Sequence, residues 1–300
     1  MRVFRSIGMI AVAAVGWACS AGAQTTRPSS PGVKIERDIN YGDGSKRMQA
    51  LDLYVPEKPL EHDRPLLIYV HGGGWKGGDK ASFPAKFLLD RGYAVASVNY
   101  RLTDEAIFPA QIEDCKAAVR WLRAHASEYH INKDRIGVMG DSAGGHLVAL
   151  LGTSGGVKEL EGHVGKYLDV SSRVQCVVDW YGPTDMSVFF RQAKDENIFK
   201  PHPEKSPLAE LFGGMPADKP DLVRLANPVA FVSPDDPPFL IQHGDKDTLV
   251  PVAQSEMLAD ALKKAGVEVE IVVIPGAGHG FGPKANAIPA VERFLDKHLK

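Results

Sequence analysis

A serine hydroxyl becomes a nucleophile only where the backbone presents it sharply and a base can take its proton. The segment Gly140-Asp141-Ser142-Ala143-Gly144-Gly145-His146 offers the first of these conditions. The apolar run Arg135–Met139 leads into it and the apolar run Leu147–Leu151 leads out, so G-x-S-x-G falls where a strand turns into a helix. Glycine is needed at 140 and 144 because strand and helix must approach closely around a strained turn. The helix start beneath the serine favours developing negative charge. Ser142 is the expected nucleophile.

Charge that develops on an attacked carbonyl oxygen needs donors. His71-Gly72-Gly73-Gly74-Trp75 follows the apolar run Pro65–Val70, and three consecutive glycines leave backbone N–H groups free to face a ligand. Gly73 and Gly74, with the N–H of Ala143, are the expected oxyanion donors, and His71 is expected to brace the loop. A phosphate cradle would want the Lys-Ser/Thr ending that is missing here. The base is sought downstream. His279 lies in the glycine loop Pro275-Gly276-Ala277-Gly278-His279-Gly280-Phe281, whereas His146 and His243 read as structural. The acid is sought in His243-Gly244-Asp245-Lys246-Asp247-Thr248-Leu249-Val250-Pro251. Asp247 is preferred because it lies beyond the strand end; Asp245, the alternative, is placed to hold the turn.

These loops need a scaffold that brings them together. Ala50–Val55, Pro65–Val70, Ala94–Asn99, Arg135–Met139, Val174–Asp179, Pro238–Gln242 and Val269–Ile274 read as strands, mostly continuous Val- and Ile-rich runs. Continuous runs indicate strands buried on both faces, as in a parallel sheet. Helical spacing appears in Ile112, Cys115, Val119 and Leu122, in Leu258, Ala261, Leu262 and Ala265, and in Ile288, Val291, Leu295 and Leu299. Gly266 stands where a helix C-terminal cap belongs. The expectation is an α/β doubly wound protein. Pro183–Pro238 interrupts the alternation with ten of the 21 prolines. It allows only short helices, such as Pro207–Phe212 and Pro220–Leu225, and is expected to form an ordered excursion, a partial lid over one end of the sheet; a plain surface loop is the alternative.

Residues 1–23 read as a signal peptide: Arg2 and Arg5 precede the apolar run Ile7 to Ala18, and Ala21-Gly22-Ala23 precedes cleavage before Gln24. Cys19 lacks the aliphatic neighbour of a lipidation site. Residues 24–32 read as a flexible leader and 33–300 as one domain, with 183–238 as its insertion. No later run is long and apolar enough to span a membrane, so the mature protein is expected to be secreted or periplasmic. With 35 basic and 37 acidic side chains, a net charge of −2 gives no potential to hold nucleic acid. Cys115 and Cys176 could pair or stay as buried thiols, the second being preferred.

The segments Gly140–Gly144, His71–Trp75, His243–Pro251 and Gly276–Phe281, in the chain order Ser142, Asp247, His279, resemble the α/β-hydrolase superfamily over almost all of residues 45–300. Leu51–Pro56, Val98–Leu102, Phe108–Asp114 and Asp179–Asp185 narrow the likeness to bacterial carboxylesterases of the type that includes bifunctional feruloyl and acetylxylan esterases. The chain is also similar to hormone-sensitive-lipase-like esterases, but their N-terminal helical cap has no counterpart here, so any cap must come from Pro183–Pro238. The resemblance implies an α/β-hydrolase fold with a mostly parallel sheet and a Pro-rich partial lid. It also implies a serine carboxylesterase without metal or cofactor, acting on short-chain or aromatic acyl esters such as acetyl or feruloyl esters of plant polysaccharide. Trp75, Trp180 and Tyr181 follow strand ends on the Ser142 side and are expected to wall the substrate site. A prolyl-oligopeptidase-type peptidase would need an additional propeller domain. A kynurenine formamidase, which shares the His-Gly-Gly-x-Trp loop, would need an intracellular substrate. A binding scaffold without activity would not need the whole triad.

Overall fold

A computed structural model of the chain describes residues 32–43, 47–59, 61–282 and 286–300. The expected signal peptide with Cys19, and the leader up to residue 31, lie outside the described residues. Strands β1 (Val33–Asn40), β2 (Ala50–Pro56), β3 (Arg64–Val70), β4 (Ala94–Val98), β5 (Ile131–Asp141), β6 (Cys176–Trp180), β7 (Phe239–Gly244) and β8 (Val269–Ile274) form one sheet in the order β1-β2-β4-β3-β5-β6-β7-β8. β1 and β2 pair antiparallel, as do β2 and β4, and every other pairing is parallel. The strand runs of the sequence all appear, with ends moved by a few residues. β1 is the addition: Val-Lys-Ile-Glu-Arg-Asp-Ile-Asn is a half-exposed edge strand whose charges break the continuous apolar signal.

The helices are α1 (Ala110–Ala124), α2 (Ala143–Thr153), α3 (Lys158–Glu161), α4 (Phe189–Gln192), α5 (Pro207–Phe212), α6 (Pro220–Leu225), α7 (Val252–Lys264) and α8 (Ile288–Leu299). Alternation along the strands divides the core. Leu66, Ile68 and Val70 of β3 pack with α1, α2 and α7, while Leu67 and Tyr69 pack with α8 on the other face. Cys115 belongs to the first cluster and Cys176 to the second, and both are free thiols. α7 ends in a Schellman motif: Gly266 has φ +79°, its N–H donates to the Lys263 carbonyl, and the Val267 N–H donates to the Leu262 carbonyl at 3.0 Å. No helix among the described residues is long and apolar enough to cross a membrane.

The excursion between β6 and β7 is built from one-turn helices, and its prolines explain why. Pro203, Pro207, Pro216, Pro220 and Pro228 each stand at the first turn of a short helix, where φ is already set and the missing N–H costs nothing. Side-chain hydrogen bonds pin the segment to the rest of the fold. Gln254 of α7 accepts from the Thr184 and Asp185 N–H groups at 2.7 and 2.8 Å, Asn197 donates to the Leu249 carbonyl at 2.8 Å, and His146 of α2 reaches the Ala226 carbonyl at 2.7 Å.

The buried end of β6 carries a titratable group. Asp179 is fully enclosed; its Oδ1 accepts from the Gly182 N–H at 2.9 Å and its Oδ2 has no partner among the described residues. Burial pushes its pKa up to about 6, against the opposing pulls of the Gly182 N–H and of His243. A carboxyl with a folded-state pKa above its unfolded value is penalised on ionising, so wild-type stability falls as pH rises from about 4 through about 6. Asp179→Asn removes that titration. Urea unfolding at pH 4.5 and 7.5 should show the variant gaining about 2 kcal/mol relative to wild type between the two; a pH-independent difference would refute the assignment.

Candidate active site

The parallel register of β3, β5, β6, β7 and β8 places their carboxyl ends at one edge of the sheet, and every expected catalytic loop leaves from one of those ends. At the end of β5, Ser142 has φ 53° and ψ −118°. Its N–H donates to the Trp180 carbonyl at 2.9 Å and its carbonyl accepts the His146 N–H at 3.0 Å. The close approach is severe: a Cβ on Gly144 would stand 2.1 Å from the Val70 carbonyl oxygen, and one on Gly140 would stand 2.4 Å from the Gly144 oxygen. Strand, turn and helix therefore leave the serine one conformation, and a non-glycine residue at positive φ persists only under such over-determination.

The Ser142 hydroxyl lies 3.0 Å from His279 Nε2, and His279 Nδ1 lies 2.7 Å from Asp247 Oδ2. Because a carboxylate can only accept, Nδ1 carries the proton and Nε2 is left to receive one from the serine. Asp247 is buried, yet both oxygens are supplied with donors. Oδ1 accepts the Leu249 and Val250 N–H groups, each at 2.8 Å, and Oδ2 accepts His243 Nε2 at 3.2 Å besides His279. Burial alone would raise its pKa, but the hydrogen bonds from His243 and His279, with the Val250 N–H, hold it well below the ordinary carboxylate range. Asp245 does not touch His279. Its Oδ1 accepts the Gly276 N–H at 2.7 Å, which fastens the histidine loop to the acid loop.

At the end of β3, Gly73 (φ 112°), Gly74 (φ 60°) and Trp75 (φ 58°) turn the chain over Ser142. The N–H groups of Gly73, Gly74 and Ala143 make no hydrogen bond to another described residue, and all three residues line the cavity that holds Ser142 and His279. His71 braces this loop: Nδ1 donates to the Gly72 carbonyl at 2.8 Å, and the ring stacks on Tyr100, whose hydroxyl donates to the His71 carbonyl at 3.0 Å. His146, whose pKa burial lowers to about 4, ties α2 to the excursion instead of reaching the serine.

Two residues position the site: Asp141, to which the sequence reading assigns no role, and His243, which it takes as structural without a partner. Asp141 accepts the Gly72 N–H at 3.1 Å and the Tyr69 hydroxyl, locking the oxyanion loop to the elbow. Its only signal was a carboxylate inside a motif whose middle positions are free to vary. His243 is the other. Both partners of His243 Nε2, Asp247 Oδ2 and the Val250 carbonyl at 3.0 Å, can only accept, so Nε2 carries the proton and Nδ1 accepts from the Ser255 hydroxyl at 2.7 Å. The fourth residue of the following helix cannot be paired with a strand-end histidine from spacing alone.

The cavity measures about 570 Å³ and is mainly apolar, with Phe189, Phe190, Phe199, Pro207 and Leu208 from the excursion facing Leu249 and Val250. Trp75 and Tyr181 line it, and Tyr181 meets His279 edge-on with centroids 4.6 Å apart. Trp180 is a correction to the expected aromatic wall, since it does not line the cavity. Adjacent strand residues face opposite sides, so its ring joins the α8 cluster against Phe281, and its Nε1 donates to Gln242 at 2.7 Å. Tyr181, with φ 42°, escapes that alternation. No group of three His, Cys, Asp or Glu among the described residues is placed to hold a metal ion.

A family model described as BD-FAE matches residues 51–262. Esterase LipQ of Mycobacterium tuberculosis is 32% identical over 251 residues, covering 81% of this chain and 56% of LipQ. Carboxylesterase NlhH of the same organism is 32% identical over 283 residues, covering 90% of this chain and 82% of its own. The chain thus spans little more than half of LipQ. Among solved structures, a truncated carbohydrate esterase from gut microbiota shares 34% identity with a TM-score of 0.82, covering 90% of this chain and 98% of that one. An acetyl ester-xyloside bifunctional hydrolase from Caldicellulosiruptor lactoaceticus shares 28% identity with a TM-score of 0.66, covering 83% and 85%.

Two substitutions separate the positioning of Asp247 from the packing of Trp180. His243→Leu removes one donor from Asp247 while keeping bulk, and should lower kcat about 10- to 100-fold with KM little changed; kinetics indistinguishable from wild type would reduce His243 to packing. Trp180→Phe should cost about 1 kcal/mol in urea unfolding through the lost Gln242 bond while leaving KM alone, whereas a raised KM would return Trp180 to the wall.

Proposed function

The chain belongs to the BD-FAE esterase family and has the α/β-hydrolase fold, and from that premise we propose that it is an exported serine carboxylesterase acting on short-chain or aromatic acyl esters, specifically acetyl or feruloyl side-chain esters of plant polysaccharide. The observation that carries the reading is the continuous line Ser142 Oγ, His279, Asp247 beside the unpartnered N–H groups of Gly73, Gly74 and Ala143. In this reading Ser142 attacks the ester carbonyl as His279 Nε2 takes its proton. The three N–H groups receive the oxyanion, and Asp247 stabilises the imidazolium. The proton then leaves with the alcohol, and water, activated by the same histidine, releases the acid and restores the serine.

Substrate class draws on three supports. Two of the structural neighbours are a carbohydrate esterase and an acetyl ester-xyloside bifunctional hydrolase. The aromatic and proline walls suit a cinnamoyl ring or a small acyl group. Residues 1–23 read as an export signal, and an exported enzyme meets polysaccharide in the periplasm or outside the cell, which supports the reading.

Ser142→Ala should fold with an unchanged melting temperature and lose ester hydrolysis by roughly 10⁴-fold or more; near-normal turnover would overturn the mechanism. Along a p-nitrophenyl ester series, kcat/KM should peak between acetate and butyrate, and acetylated xylan should release acetate with methyl ferulate assayed alongside. A maximum at chains of about ten carbons or more, with neither natural ester cleaved, would replace this reading with a lipase.

A further inference from the structure

Next to the Ser142 cavity, and sharing Phe190 as a common wall, lies a second cavity of about 420 Å³ lined entirely by residues of the excursion. Its floor is apolar, from Met186, Met215, Pro216 and Val223. Its rim holds Arg191 and Arg224, two cations facing one space. Neither guanidinium has a hydrogen bond or ion pair to another described residue. Every other described arginine except Arg135 holds a carboxylate or a carbonyl oxygen.

Asp185 at the rim offsets one of the two positive charges, and the cavity keeps a net positive charge. The Asp185 Oδ1 at the rim already accepts the Ser187 N–H at 2.9 Å and the Ser187 hydroxyl at 2.6 Å. Asn227 uses Oδ1 to accept the Val229 N–H at 3.0 Å, which leaves its amide nitrogen as a donor toward the cavity. Two planar forks and an amide over an apolar floor are complementary to a ring that presents C–H groups on one face and a carboxylate at its edge.

We propose that this second cavity is a subsite for the carboxylate of a uronate residue on the alcohol side of the ester, so that the enzyme is directed to acidic, branched oligosaccharides. The proposal rests on reading the Ser142 cavity as the ester site. A short acyl group stays beside Ser142, and the carbohydrate it esterifies extends past Phe190 into the cationic rim.

The test uses the full chain with two ligand sets. The first compares acetylated xylo-oligosaccharides with and without glucuronate branches, for wild type and for R191Q/R224Q. Wild type should favour the acidic substrate on the order of tenfold in kcat/KM, mainly through KM, and the double variant should lose that preference. Equal handling by wild type, or a preference kept by the double variant, would overturn the subsite. The second titrates a deacetylated glucuronate-bearing xylo-oligosaccharide into Ser142→Ala, with and without the arginine substitutions, at low and high salt. Arginine-dependent, salt-sensitive binding upholds the subsite even if no acetate is released in the first experiment, in which case the acetyl-ester reading falls alone. Absence of such binding overturns the subsite whatever the esterase result.

Discussion

A buried carboxylate remains charged only if protein donors replace the water it has lost, and Asp247 receives four: two backbone N–H groups and two imidazoles. Much of the site follows from that requirement. The turn after β7 must curl so that the Leu249 and Val250 amides face inward. His243 must sit beneath with Nε2 protonated toward the carboxylate and Nδ1 held by the Ser255 hydroxyl, and the loop after β8 must bring His279 to the one direction still open on Oδ2. The histidine ring is thereby oriented before any substrate arrives, which removes reorganisation from the step in which it accepts a proton.

A second set of constraints joins the halves of the site through the backbone. Ser142 and the glycine loop belong to β5 and β3, which are direct neighbours, and Asp141 spans between them by taking the Gly72 amide. The acid and histidine loops belong to β7 and β8, also neighbours, and Asp245 spans between them by taking the Gly276 amide. Asp141, adjacent to Ser142, and Asp245, two residues before Asp247, thus do the same mechanical work, and neither touches the line of proton transfer.

How much was legible follows from how local each signal is. Ser142, His279 and Asp247 could be read as a set because each sits in a loop directly after an apolar run, with glycines that have no other use. The short helices Pro207–Phe212 and Pro220–Leu225 were legible because proline marks where a helix can begin. β1 was not, since an edge strand exposed on one side carries charges where the reading required apolar continuity. Trp180 was misread for a related reason. Position at a strand end says that a residue is near the site, but the alternation of side chains decides the face, and the twist of Tyr181 to positive φ cannot be seen in its residue type. Pairings such as His243 with Ser255 and Asp141 with Gly72 exist only once the sheet has assembled.

The excursion is inserted between two neighbouring parallel strands, β6 and β7, and this has a consequence for how such a protein can diversify. Its two ends are fixed by the sheet register, Val177 opposite Phe239 and Trp180 opposite Gln242. The entropic cost of a closed segment rises only with the logarithm of its length. Residues can therefore be added to or removed from this stretch at small thermodynamic expense, while the strand ends that carry the serine, the acid and the histidine stay where they are. Selection can remodel what the pocket admits by recombining proline-started helical turns as interchangeable modules, leaving the reaction centre uninvolved in the change.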